Sequence, residues 1–262
     1  MPVAMLDFNH RHSFVDQMNQ LIDDSLQNKH AQEPKREYLG ASQLGVSCSR
    51  ALQDDSPQVP RDKPVLAQTS RIFERAHALE KMAVNGLRLA GFELSPCQEK
   101  GEPWGFPIAD GCIQGHGNGI IRGGLFKEGF AVEMTYPALL ECKSMNAQSW
   151  KQTVEKGLSL AKPIYAGQSA VYQAYREKTI PVMAQNPALV TAVNKDTSEI
   201  DPERVAGDAG LAQSASDKAV TILRATQAGE TLPRAADPKY VDCCFCDWQN
   251  HYWQDRCRKE SL

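Results

Sequence analysis

Apolar positions along this 262-residue chain change period several times, and each change marks an element. Residues 7–28 carry Phe14, Val15, Met18, Leu21, Ile22 and Leu26 at helical spacing. That pattern predicts an amphipathic helix with a structural role, followed by a polar connection over residues 29–37. Residues 38–50, YLGASQLGVSCSR, hold two glycines, three serines and one cysteine and read as a functional or flexible loop, which a proline-bearing stretch extends to about residue 64. Over residues 70–90 the apolar positions Phe73, Ala76, Ala83, Leu87 and Ala90 predict a second helix, with Ser70 as its N-cap and Gly91 as its stop. The period then shortens. Runs at 92–94, 111–114, 119–122, 130–134 and 138–143, separated by glycine and proline, predict the core sheet. Helical spacing returns at 148–158 and at 163–177, where Pro163 suits a first turn, and residues 188–193 read as a strand. A last helical stretch, 201–227, is interrupted by Gly207 and Gly210 and leads through GETLPRAADP into a cysteine-rich tail.

At 42% hydrophobic residues the chain can bury a full core, and one mixed domain fits better than two independent ones. Three segments divide it: 1–64, a helix and a cysteine-bearing loop; 65–230, the core; and 231–262, the cysteine-rich segment. No run approaches the roughly 20 apolar residues of a membrane span, and MPVAMLDFNHRH lacks the apolar stretch of a secretory leader, so a cytoplasmic protein is expected. Formal net charge is -3, so any nucleic-acid contact must come from a local basic surface. Eight cysteines are many for the cytoplasm, where disulfides are uncommon; four of them fall in the last twenty residues, which points to metal.

The sharpest chemical signal is Leu139-Leu140-Glu141-Cys142-Lys143, preceded by Gly115-His116-Gly117-Asn118-Gly119-Ile120-Ile121. Strand alternation puts Glu141 and Lys143 on one face. A carboxylate suits a magnesium-type cation, and a neighbouring lysine can orient a water or stabilise charge building on a phosphate. Glu-x-Lys on a strand is nevertheless frequent by chance. His77 and Glu80, three apart, share a helix face, either as metal ligands or as a solvated surface; Gln168 and Tyr172, four apart, face a site or pack a helix.

Taken in order, these motifs resemble the PD-(D/E)XK nuclease superfamily, in its RecB-like branch of phage and CRISPR-associated exonucleases. The resemblance spans most of residues 38–257. It rests on LGASQLGVSCSR, then RIFERAHALE with its metal-ligand position, then Gly-Asn-Gly-Ile-Ile, Glu-x-Lys, Gln168-Ser169-Ala170-Val171-Tyr172 and the closing cysteines. It implies an α/β restriction-endonuclease-like core, a central mixed sheet flanked by helices, with an N-terminal helical region and an iron-sulfur tail. The implied activity is Mg²⁺- or Mn²⁺-dependent DNA hydrolysis from an end. His77, Glu80, residue 118 and Glu141 would hold the metal, Lys143 would position the water, and Gln168 and Tyr172 would contact the site. The resemblance also implies a [4Fe-4S] cluster on one N-terminal and three C-terminal cysteines, taken as Cys48, Cys243, Cys246 and Cys257, with Cys244 the alternative to Cys243. Four thiolates would equally hold Zn²⁺.

Two positions depart from the family pattern. Cys257 lies further from the Cys-x-x-Cys pair than the family's last cysteine, with Tyr252 where a cysteine usually precedes tryptophan. Asn118 stands where the family has its metal-bridging Asp. A neutral amide weakens a hard-cation site. An engineered substitution that traps a complex and a natural loss of activity both account for it; retention of His77, Glu141, Lys143 and Gln168 favours the first. Asp110 is a weakly supported substitute ligand. Expected partners are DNA and a phage recombination or CRISPR adaptation protein in a bacterial or phage-infected cytoplasm. The competing readings are a nuclease-derived binding protein that no longer cuts and a redox-sensing module. Cys97, Cys112 and Cys142 read as buried thiols. His10, His12, His30, His116 and His251 read as surface or turn residues, with His116 the one to watch. Lys195 is either a phosphate contact or a solvated strand end. Trp104, Trp150 and Tyr165 either stack on bases or pack the core.

Overall fold

The computed structural model describes residues 10–34, 36–55, 59, 61, 66–95, 104–124, 134–234 and 246–248. The chain opens with α1 (His10–Gln32), a two-residue strand β1 (Leu39–Gly40), a 3-10 turn (Ala41–Gln43), α2 (Ser49–Asp54) and α3 (Ala67–Leu89). Strands β2 (Phe92–Ser95), β3 (Gly105–Ile108), β4 (Ile113–His116), β5 (Gly119–Gly124) and β6 (Ala138–Met145) follow. Helices α4 (Ala147–Lys156), α5 (Leu158–Ala161) and α6 (Pro163–Arg176) then lead to β7 (Ala188–Asn194), β8 (Ile200–Val205) and α7 (Ala209–Gln227).

A five-stranded mixed sheet runs in the order β2-β5-β6-β7-β8, with β6 and β7 parallel and the other neighbours antiparallel. Because β6 and β7 are parallel, a crossover must join them, and α4 to α6 supply it. β6 is buried on both faces. Leu139 and Met145 pack with Val171 and Tyr172 of α6, while Leu140 and Cys142 pack with Ala83 of α3. Burial on both sides explains why β6 opens as an uninterrupted apolar run. The architecture is the expected mixed α/β arrangement of a central sheet between helices, compatible with a restriction-endonuclease-like core.

Several elements differ from expectation. A second sheet, β1-β4-β3, covers α6, with Phe106 of β3 edge-on to Tyr172 at 5.1 Å. Neither β3 nor α2 is evident in the sequence, since Gly105 and Pro107 hide the first and polar residues the second. The stretch 201–205 is not helical: β8 pairs antiparallel with β7 as an edge strand, a place that tolerates Pro202. Gly207 follows because a Cβ there would lie 2.2 Å from the carbonyl oxygen of Ala184. α3 starts before Ser70, with Leu66 at its N-cap and no side-chain cap bond. Phe73 is exposed; the inward positions near Ala83 are Leu79, Val84 and Leu87. Residues 130–133 lie outside the described residues, and Met134 belongs to no strand.

The glycine- and serine-rich loop before Cys48 is ordered by long-range contacts. Lys218 of α7 donates from Nζ to the carbonyls of Leu44 (3.0 Å) and Val46 (2.9 Å), and its burial lowers the ammonium pKa. Gln53 of α2 donates to the Glu230 carbonyl at 2.7 Å and accepts from the Leu232 N–H at 2.9 Å. Gly45 lies against α6, where a Cβ would sit 2.6 Å from Ile164 Cα, a backbone atom that cannot step aside. Gly45→Ala is therefore expected to destabilise the fold by about 1–3 kcal/mol. Urea unfolding checks this: the midpoint falls while the slope stays constant.

Candidate active site

β6 presents Glu141 and Lys143 on the α6 face, as alternation requires. Glu141 is 3% exposed. Its Oε1 accepts from Lys143 Nζ and from Gln168 Nε2, each at 2.7 Å. Among the described residues its Oε2 is buried without a hydrogen-bond partner. Burial pushes the Glu141 carboxyl up; Lys143 and the backbone amide of Asn118 pull the other way, and Glu80 adds to the rise. Gly117 keeps space open above this oxygen, since a Cβ there would lie 3.8 Å from Oε2 and 3.3 Å from Leu139 Cδ1.

Asn118 immediately precedes β5, whose first residue, Gly119, pairs with Leu140. The side chain therefore emerges beside Glu141 on the neighbouring strand. Its Oδ1 accepts from the Cys142 backbone N–H at 2.8 Å, and its Nδ2 donates to Glu80 Oε2 at 3.3 Å. The backbone donor fixes which end of the amide is which: the oxygen must face Cys142, so the NH₂ group faces Glu80. His77 completes the row from the solvent side, with Nδ1 3.5 Å from Glu80 Oε2.

All seven residues expected at the site thus form one contiguous set: His77 and Glu80 from α3, Asn118, Glu141 and Lys143 from the sheet, and Gln168 and Tyr172 from α6. Tyr172 is 2% exposed; burial and the nearby Glu141 carboxylate raise its hydroxyl pKa, against support from Gln168, Ser42 and the His116 backbone. Ser42, in the 3-10 turn, and Gly117 are additions the motifs alone do not single out, although both sit in the glycine-rich stretches that carry the resemblance. Tyr165, one of the aromatics marked in the sequence for stacking or packing, has its ring centroid 5.2 Å from Lys143 Nζ, near enough for a cation–π contact.

Other candidates fall elsewhere. Asp110 occupies the turn between β3 and β4, at the opposite end of that hairpin from Gly117, and cannot replace a ligand. Lys195 follows β7, and its neighbour Asp196 accepts from the Ala147 N–H at the start of α4. Trp104 is buried beneath the Arg122 and Arg176 guanidiniums, and its carbonyl accepts from Gly117 N–H at 2.9 Å, so it packs rather than stacks on a base. Trp150 donates to the Ala192 carbonyl at 3.3 Å. His30 is exposed and pairs with Glu33, and His116 is exposed at the end of β4.

Two carboxylates with an amide between them do not match the anionic oxygen set a divalent cation prefers. Among the described residues no group of three His, Cys, Asp or Glu side chains is placed to hold a metal ion. Part of the misfit lies at residue 118. A carboxylate there would keep one oxygen on Cys142 N–H and turn the other toward Glu80, where the amide now places hydrogens.

Of the cysteines expected to bind a cluster, Cys48 caps the start of α2 and Cys246 is half-buried, while Cys243, Cys244 and Cys257 lie outside the described residues, as does Cys97. Residues 246–248 meet Arg61: Asp247 pairs with it at 3.2 Å and buried Trp248 lies under its guanidinium. Arg61 in turn pairs at 2.8 Å with Asp55, which ends α2. Cys112 is half-buried, against the expectation of full burial, whereas Cys142 is buried.

No family model and no curated protein matches the chain. Among solved structures, it is similar to an alkaline exonuclease, LHK-Exo, from Laribacter hongkongensis. That likeness has a TM-score of 0.48 and 13% identity, over 74% of this chain and 90% of that one. The same protein in complex with dAMP gives a TM-score of 0.47 and 13% identity over 74% and 89%. The structure of SSO0001 gives a TM-score of 0.42 and 12% identity over 90% and 95%. At these levels of likeness, function is read from the site's own geometry.

Burial, followed by the charges of Glu141 and Glu80, pushes the Cys142 thiol up to about 12. It therefore stays protonated at about pH 8, where only thiolates alkylate readily. Iodoacetamide is expected to leave Cys142 unmodified in the native protein and to label it after unfolding, as peptide mass spectrometry would record.

Proposed function

We propose that this chain carries the DNA site of a metal-dependent PD-(D/E)XK deoxyribonuclease working from a DNA end, with Asn118 in place of one anionic ligand. As written, the chain binds DNA without cutting it. One observation carries the reading: Glu141, buried at 3% exposure, has one oxygen held by Lys143 and Gln168 and the other without a hydrogen-bond partner among the described residues. A buried carboxylate oxygen without a donor is costly, and a cation is the partner that relieves it.

With a carboxylate restored at residue 118, Glu141, Glu80, His77 and that carboxylate would hold Mg²⁺ or Mn²⁺, which supplies Lewis-acid chemistry at phosphate. Lys143 contributes a positive charge for the phosphate oxygens and pairs with Glu141 at 2.7 Å. Gln168 orients Glu141, and the buried Tyr172 hydroxyl joins Gln168 to Ser42, so both act as positioning residues. A role in phage recombination or CRISPR adaptation, beside a protein partner of that pathway, follows from the family resemblance alone. The second reading, a nuclease-derived binding protein with Asn118 natural to it, is favoured by the fit of the amide between Cys142 N–H and Glu80.

Asn118→Asp is expected to gain degradation of end-labelled DNA in Mg²⁺ or Mn²⁺, at least a hundredfold above the parent chain on the scale of a lost electrostatic catalytic group. Its melting temperature should also rise on adding Mn²⁺, and the parent's should not. If neither protein cuts while both bind DNA, the enzyme reading fails and the binding reading replaces it.

The same proposal assigns Cys48, Cys243, Cys246 and Cys257 to a [4Fe-4S] cluster, with Zn²⁺ as the alternative, stapling the C-terminal segment to α2. Docking of residues 246–248 at Arg61 supports it. Anaerobically purified protein is expected to contain iron with matching acid-labile sulfide, and Cys246→Ser to lose both. Zinc without sulfide would select the alternative.

A further inference from the structure

The apolar stripe that marks α1 as an amphipathic helix lies outside the core. Phe14 (64%), Val15 (47%), Met18 (42%), Leu21 (61%) and Ile22 (47%) are all solvent-exposed. The helix is tied to α3 by Arg71 to Asp23 and by Lys29 to Glu74 at 3.4 Å, and over residues 13–32 only Asp23 and Leu26 are partly covered. Its contacts with the body therefore come mainly from its C-terminal half. The 3.6-residue period sets Phe14 and Leu21 roughly opposite residues 23 and 26, with Met18 between them and Val15 and Ile22, which border the covered side. Five large apolar side chains over little more than two turns form a patch that monomers rarely leave in water.

We propose that this stripe is the contact between two copies of the chain, paired antiparallel through α1 about a two-fold axis at Met18. The spacing itself argues for a second copy. A two-fold interface must be complementary to itself, so each apolar position needs an apolar position facing it. With Met18 on the axis, Phe14 faces Ile22 and Val15 faces Leu21, and Met18 faces its own copy, so no member of the stripe is left over. The area is adequate too: five half-exposed side chains from each copy remove on the order of 1,000 Å² in total, the lower limit for a specific interface. The proposal does not depend on the nuclease reading.

Sedimentation equilibrium of the full chain at tens of micromolar is expected to give twice the 29.0 kDa chain mass. Leu21→Glu and Val15→Lys should each weaken the dimer by about tenfold or more. An equimolar mixture should recover the doubled mass, because residue 21 of one copy faces residue 15 of the other. Phe14→Glu with Ile22→Lys provides a second complementary pair should either first variant fail to fold, which circular dichroism would report. A parent chain of single mass at every concentration overturns the proposal and leaves the stripe to a different partner. A mixture of well-folded variants that stays monomeric overturns the antiparallel register.

Discussion

A carboxylate inside the fold is the constraint around which the rest is arranged. Glu141 sits on the central strand, where both faces are covered, and an ionised group there is tolerated only when paired. Lys143 and Gln168 bond one of its oxygens, and among the described residues the other has no hydrogen-bond partner. The layers on each side of β6 answer to this: α6 supplies Gln168 and Tyr172, and α3 supplies Glu80 and, through Asn118, a link back to the backbone of Cys142. Moving α6 by a residue would take Gln168 away from the buried Glu141.

Asn118 shows how one atom changes what such a site can hold. Its oxygen is committed to a backbone donor, so the other terminus of the side chain defines the chemistry facing Glu80. As NH₂ it is a donor and quiets Glu80; as a carboxylate oxygen it would add a third negative charge and require a cation. Architecture and charge are thus separable here. The elements that bring Glu80, Asn118, Glu141, Lys143 and Gln168 together are in place, while the electrostatic condition for binding a hard cation is not met by the residues present.

The loop that precedes Cys48 joins α7 to this core. Lys218 holds two of its carbonyls and Gln53 holds the segment beyond α7, so residues 44–53 and 218–232 meet beside the 3-10 turn that carries Ser42. Ser42 in turn reaches Tyr172. A loop rich in glycine and serine is therefore a structural joint whose glycine at residue 45 is required by the closeness of α6.

Residue spacing was sufficient to place α3, β2, β5, β6, α6 and β7, because their apolar periods are long or bounded by strong punctuators such as Gly91 and Pro163. It was also sufficient to set Glu141 and Lys143 on one face, and Gln168 near Tyr172, since those relations lie within single elements. Motif order singles out seven residues that the fold brings side by side. What only the tertiary structure decided involves partners distant in the chain: that β8 is a strand because β7 offers it hydrogen bonds, and that β3 pairs with β4 to build a second sheet. Long-range packing also decided that Phe73 and the α1 stripe face solvent. The amphipathic pattern of α1 marks an apolar face, but periodicity carries no information about which surface covers it. The orientation of the Asn118 amide belongs to the same class, because it depends on a backbone N–H that pairing of β5 with β6 brings beside it.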